Sequence, residues 1–119
     1  MVAFQGRPAA NSCPGAANAG LTVLKIKAHP PRLSIAWCAP LDGRGAPIVT
    51  TLANGSNPIV WVTGAEGDNL LHGFSGDTGA AVFGGGGAEM SGLRHFGTIL
   101  AANGRLYVAG DGRIYSFMP

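Results

Sequence analysis

Charged side chains are scarce in this sequence, at 12% of its 119 residues. Its eight basic residues run from Arg7 to Arg113 without a cluster, and the formal net charge is only +2. A nucleic-acid surface needs a basic stripe or patch, so nucleic acid is not an expected partner. Long apolar runs are also missing. No stretch approaches the roughly 20 residues of a membrane-spanning helix, so no membrane span is expected. The opening Met1-Val2-Ala3-Phe4-Gln5-Gly6-Arg7 lacks the charged start and apolar centre of a secretion signal. Ala10-Asn11-Ser12-Cys13 has the outline of a lipoprotein cleavage box, but no apolar segment precedes it. Cysteine is limited to Cys13 and Cys38. They either form one disulfide, which favours an extracytoplasmic setting, or remain two thiols. Their separation does not fit a Cys-x-x-Cys metal pair.

Glycine, by contrast, is abundant: 20 residues, without the three-residue period of collagen. Between the glycines stand short clusters of β-branched and aromatic residues, which separates the chain from disordered sequences. Short apolar clusters punctuated by turn residues read as all-β. No segment requires a helix, and the Ala-, Gly- and Pro-rich stretch from Gln5 to Gly20 has no 3.6-residue apolar period.

The clusters repeat. Ile59-Val60-Trp61-Val62-Thr63-Gly64 matches Arg105-Leu106-Tyr107-Val108-Ala109-Gly110 at an offset of 46. Asp68-Asn69-Leu70-Leu71-His72-Gly73-Phe74 matches Asp111-Gly112-Arg113-Ile114-Tyr115-Ser116-Phe117 at an offset of 43. Ala53-Asn54-Gly55 matches Ala102-Asn103-Gly104 at an offset of 49, the shifts falling at turns where insertions are tolerated. The pairs Asn54-Gly55, Asn103-Gly104 and Asp111-Gly112 supply the positive φ angles of tight hairpins. A repeat of about 45 residues with four strands has the size of one propeller blade.

Three units follow. Residues 1–40 form a partial one, with Val2–Phe4, Leu21–Ile26 and Ser34–Trp37 as strands and Leu24 in the place of Phe74. Residues 41–87 form a complete one, with strands Pro47–Leu52, Pro58–Thr63, Leu70–Ser75 and Ala80–Phe83. Residues 88–119 carry Phe96–Ala101, Leu106–Ala109 and Arg113–Phe117, with no fourth strand. The expected fold is an incomplete β-propeller of about two and a half four-stranded antiparallel blades.

The run from Leu71 to Phe83, with Phe74, Asp77-Thr78-Gly79 and a closing aromatic, resembles the signature of pyrroloquinoline-quinone-like, or quinoprotein-type, propeller repeats. The closing aromatic in that family is usually a tryptophan docking between blades. Here Phe83 takes that place, and Trp37 keeps it in the first unit. The resemblance spans about Leu21 to Phe117 and is most complete in the central unit. It implies the C-terminal part of a larger propeller from a periplasmic or extracellular protein, with further blades or a self-associating copy as partner. The Asp77 side chain is expected to hold the turn by bonding a backbone N–H two residues on, with Gly79 at positive φ.

Catalytic parts are sparse. A quinone dehydrogenase needs calcium ligands, an aspartate base and adjacent stacking surfaces, and Cys13 and Cys38 are not adjacent. Asp42, Asp68, Asp77 and Asp111 sit beside glycines, as ordinary turn formers do. Glu66-Gly67-Asp68-Asn69 offers closely spaced oxygen ligands but lacks the rest of a calcium loop. His29, His72 and His95 would need to converge to hold a metal. His72 is expected as a filler, because Tyr115 is its counterpart. Arg94 and His95 are the candidates for facing a ligand in a central channel. Gly84–Gly87 fits no phosphate-loop register and reads as a linker. Trp61, Tyr107, Phe74 and Phe117 recur at equivalent positions and read as packing residues. The expectation is therefore a non-catalytic structural or interaction scaffold with no cofactor. The alternative is the tail of a quinone- or metal-dependent dehydrogenase, using pyrroloquinoline quinone with calcium, whose active site lies upstream.

Overall fold

Alternating apolar residues bounded by glycine and asparagine turns favour short antiparallel strands, and the computed structural model is built of these. It describes residues 1–6, 13–14, 19–84 and 89–119. Most of the Gln5–Gly20 excursion and of the Gly84–Gly87 linker lies outside the described residues. The strands are β1 (Val2–Gln5), β2 (Ala19–Lys27), β3 (Arg32–Pro40), β4 (Ile48–Thr50), β5 (Ile59–Thr63), β6 (Leu71–Ser75), β7 (Ala81–Gly84), β8 (Ile99–Ala102), β9 (Arg105–Gly110) and β10 (Arg113–Phe117). No helix occurs among the described residues.

The strands form three antiparallel meanders in chain order: β1-β2-β3, β4-β5-β6-β7 and β8-β9-β10. These first, central and last sheets coincide with the three sequence units. The observed strands are shorter than expected at β4 and β8. Leu52 accepts a bond from the Gly55 N–H and donates its own N–H to Ser56, so that segment is a turn. Only the Asn103-Gly104 pair has positive φ at both residues, at 50° and 71°. At the other two pairs the glycine alone takes it.

The central sheet is sandwiched between the other two. Along β5, Val60 and Val62 join Leu21, Val23, Trp37 and Ala39 of the first sheet in one apolar cluster. Trp61 faces the other way, with Leu71, Ile99, Leu106 and Val108 in a second cluster reaching the last sheet. The strict two-residue period of a strand makes this possible: odd and even positions serve different neighbours. All of Val60–Thr63 is therefore buried, as expected for a strand covered on both faces.

The same contact fastens both junctions. Trp37 on β3 packs against Phe74 on β6, with ring centroids 6.1 Å apart. Phe83 on β7 packs edge-on against Phe117 on β10 at 6.4 Å. In each case an aromatic on the last strand of one sheet meets the aromatic on the third strand of the next.

Candidate functional site

The residues of the signature do structural work at the first junction. Trp37 donates its indole N–H to the Gly76 carbonyl at 2.8 Å. Its ring lies against Gly79, where an added Cβ would stand 2.7 Å from the indole. Gly79 has φ +76°, so a side chain there would be strained twice over. The bond expected of Asp77 belongs to its neighbour instead. Thr78 Oγ1 accepts the Ala80 N–H at 3.3 Å, and both Asp77 and Thr78 are exposed. The Asp-type bond appears at Asp68, whose Oδ1 accepts the Leu70 N–H at 3.0 Å.

Trp61 is buried, packs edge-on against Phe83 at 5.7 Å and donates to Thr50 Oγ1 at 2.8 Å. Tyr107 is its repeat partner, but it lies half-buried on the outer face of the last sheet, opposite Leu100 and Ser116. Packing thus explains Trp61, Phe74, Phe83 and Phe117, while Tyr107 faces away from the other two described sheets. Cys13 and Cys38 are joined by a disulfide that ties the Gln5–Gly20 stretch to β3.

Polar groups gather where the sheets meet at one end. The residues before β4 lie flat on the β5–β6 loop: the Arg44 N–H donates to the Ala65 carbonyl at 2.8 Å and Gly45 to Thr63 at 3.1 Å. A side chain at Gly45 would collide with the Thr63 carbonyl, so glycine is required there. This stacking holds Arg44 beside Glu66. His95, leading into β8, brings Nδ1 to 3.0 Å from Glu66 Oε1. That hydrogen bond holds the Glu66 carboxyl below its ordinary range. Arg94 turns away and pairs with Asp111 in the β9–β10 turn, which lowers the Asp111 pKa and raises that of Arg94. Of the two expected ligand candidates, adjacent in sequence, only His95 reaches this junction.

Beside it runs a cleft of about 500 Å³, lined by Ala3, Phe4 and Gln5 of β1, by Arg44–Pro47, and by His95. A second hollow of about 310 Å³ continues past Gln5, Asp42, Arg44 and Glu66. These volumes suit a small molecule or a few residues of peptide. The Glu66–His95 pair has two members of a nucleophile-activating set. Among the described residues no hydroxyl or thiol bonds the other ring nitrogen of His95, and no three His, Cys, Asp or Glu converge as a metal-holding group.

The oxygen ligands of Glu66–Asn69 point apart. Glu66 faces His95, Asp68 bonds His72 Nε2 at 2.8 Å, and the Asn69 amide donates to the Gly67 carbonyl at 3.3 Å. His72 also stacks on Phe74 at 6.3 Å, as a packing residue would. Its counterpart Tyr115 accepts the Ser91 N–H at 2.9 Å. The Glu66–His95 and Tyr115–Ser91 pairs were not legible in the sequence, since their partners lie 29 and 24 residues apart. No described helix is long and apolar enough to cross a membrane. Comparison with family models, curated proteins and solved structures returned no match.

Proposed function

We propose that the chain is a non-catalytic scaffold of consecutive propeller-type blades of the quinoprotein-like repeat, whose sheets stack on one another and on further blades or a second copy. The observation that carries this is the repeated junction, Trp37 on Phe74 and then Phe83 on Phe117, one sheet apart. A stack held by a recurring contact extends naturally beyond its two ends. Three sheets are fewer than the about four to eight of a closed propeller, so the ends seek partners.

The outer face of the last sheet and the hairpin end of the first fit that role. On the last sheet Leu100 and Ile114 are 61% and 73% exposed, and on the first sheet Ile26 and Leu33 are 53% and 64% exposed. Apolar faces of this kind mark interaction surfaces. The Cys13–Cys38 bond supports an oxidising, periplasmic or extracellular setting.

Light scattering on the purified chain tests the reading. Self-association or a broad, marginal melt is expected, and a monomer with a sharp cooperative melt overturns it. Pyrroloquinoline quinone with calcium should leave the melting temperature unchanged. A rise of several degrees would overturn the scaffold in favour of a dehydrogenase segment.

A further inference from the structure

Basic residues that are scattered along the sequence are partly gathered by the fold. Both lysines and Arg32 lie on the hairpin of β2 and β3, which carries none of the six acidic residues. The rest of the chain has five basic and six acidic residues and is close to neutral. β1 pairs with β2 only as far as Val2↔Leu24. Beyond that level β2 and β3 continue alone through Lys25↔Ser34, Ile26↔Leu33 and Lys27↔Arg32. The break falls at a β-bulge, where Val23 faces Trp37 but Leu24 faces Ile35. Val23 and Trp37 are buried, whereas every residue from Lys25 to Ser34 is exposed. The arm thus projects by three residue pairs, about 10 Å, past the packed sheet.

This exposure does not depend on what precedes Met1. Leu24 stands in the place of Phe74, and β6 ends one residue later, at Ser75. A neighbouring sheet of that length reaches only the foot of the arm. A longer β1 would pair along the arm's edge and leave both of its faces open.

Residues opposite each other in an antiparallel pair share a face. Ile26 and Leu33, 53% and 64% exposed, form an apolar face, and Lys25, Lys27 and Arg32 a basic one. We propose that this arm docks on an anionic lipid surface. The proposal rests on the reading of the hairpin end as an interaction surface and deepens it by naming the partner. Ile26 and Leu33 enter the boundary between headgroups and acyl chains, while the long cationic side chains reach the lipid phosphates around them. A two-stranded arm is marginal in water, so a surface that covers its apolar face also orders it. A fluid surface needs no groove, which suits a protruding arm, whereas an acidic polypeptide has to supply a matching concave site. A nucleic acid has the phosphates but no apolar phase for Ile26 and Leu33.

Co-sedimentation of the full chain with vesicles tests this, comparing phosphatidylcholine alone with an equal mixture of phosphatidylcholine and phosphatidylglycerol. Binding to the mixed vesicles and not to the neutral ones is expected. It should be released as salt rises from about 0.1 M to about 1 M, where the screening length falls from about 10 Å to about 3 Å. Lys25→Gln with Lys27→Gln should weaken binding about thirtyfold, at about 1 kcal/mol for each charge lost. Leu33→Ser should weaken it and leave its salt dependence in place. Arg105→Gln with Arg113→Gln, on the last sheet, removes the same charge and should leave binding nearly unchanged. All these side chains are exposed, so the variants should fold, which circular dichroism checks. No binding, equal binding to both vesicles, or a lysine variant that binds as well as the last-sheet variant overturns the proposal. Binding of soluble polyglutamate without binding of the vesicles overturns it in favour of an acidic polypeptide. Self-association is read by light scattering without lipid, so loss of either result leaves the other standing.

Discussion

At the scale of single residues, Trp37 does the most. It is 6% exposed, packs on Phe74, covers Gly79 and donates to the Gly76 carbonyl. Trp37→Ala removes all of these and should cost about 3–5 kcal/mol in urea unfolding. Trp37→Phe keeps most of the ring but leaves the Gly76 carbonyl without its donor, for about 1–3 kcal/mol. A loss under about 1 kcal/mol in the alanine variant would show that the junction does not depend on this side chain. Glu66 makes a pH-dependent contribution. Its folded pKa lies below the ordinary value of 4.5, so the stabilisation is present above pH 4.5 and fades as pH falls through the folded value. Glu66→Gln should therefore flatten the acid limb of the stability profile slightly, because the pair is exposed and screened. An unchanged limb would mean that Glu66 and His95 do not pair in solution.

Among elements, the turns separate backbone strain from packing. Gly55 and Gly79 have nearly the same φ, +78° and +76°, but a Cβ meets nothing within 4 Å at Gly55 and the Trp37 ring at Gly79. Both alanine substitutions carry the left-handed backbone cost of about 1–2 kcal/mol. Only Gly79→Ala adds a collision, so it should be clearly the worse of the two in thermal melts. Equal losses would place the cost in the backbone alone. The disulfide acts on another element, the long connection from β1 to β2. It closes a loop spanning 25 positions, for which chain entropy gives on the order of 3 kcal/mol. Reduction should lower the melting temperature of the wild type and leave a Cys13→Ser, Cys38→Ser double variant unmoved.

For the molecule as a whole, the open faces dominate. The outer side of the last sheet presents Leu100, Tyr107, Ala109 and Ile114 with Arg105 as its charged member. Ile114→Asp adds a charge where a neighbouring sheet would bury it, at little expense to an isolated chain, since the side chain is exposed. Self-association measured by light scattering should fall in that variant while the secondary structure persists. Unchanged association would move the contact to another face. The described residues extend 46 × 35 × 22 Å, with the outer side of the last sheet open among them and Thr22 buried on the outer side of the first.

The sequence by itself determined the number and order of the strands and the aromatic repeat, though not the extents of β4 and β8. These follow from local periodicity and turn chemistry, which act over a few residues: Asn103-Gly104 fixes a hairpin wherever it stands. It also showed which units resemble one another, and so placed Trp37 with Phe83 and Phe74 with Phe117. Tertiary structure alone decided which residues meet across sheets. It bonded Cys13 to Cys38, sent Arg94 to Asp111 and His95 to Glu66, and left β1 beside an open cleft. Those contacts depend on how far one sheet is rotated and shifted over the next. That geometry is set by the summed packing of two apolar clusters and has no signature in any short window of residues.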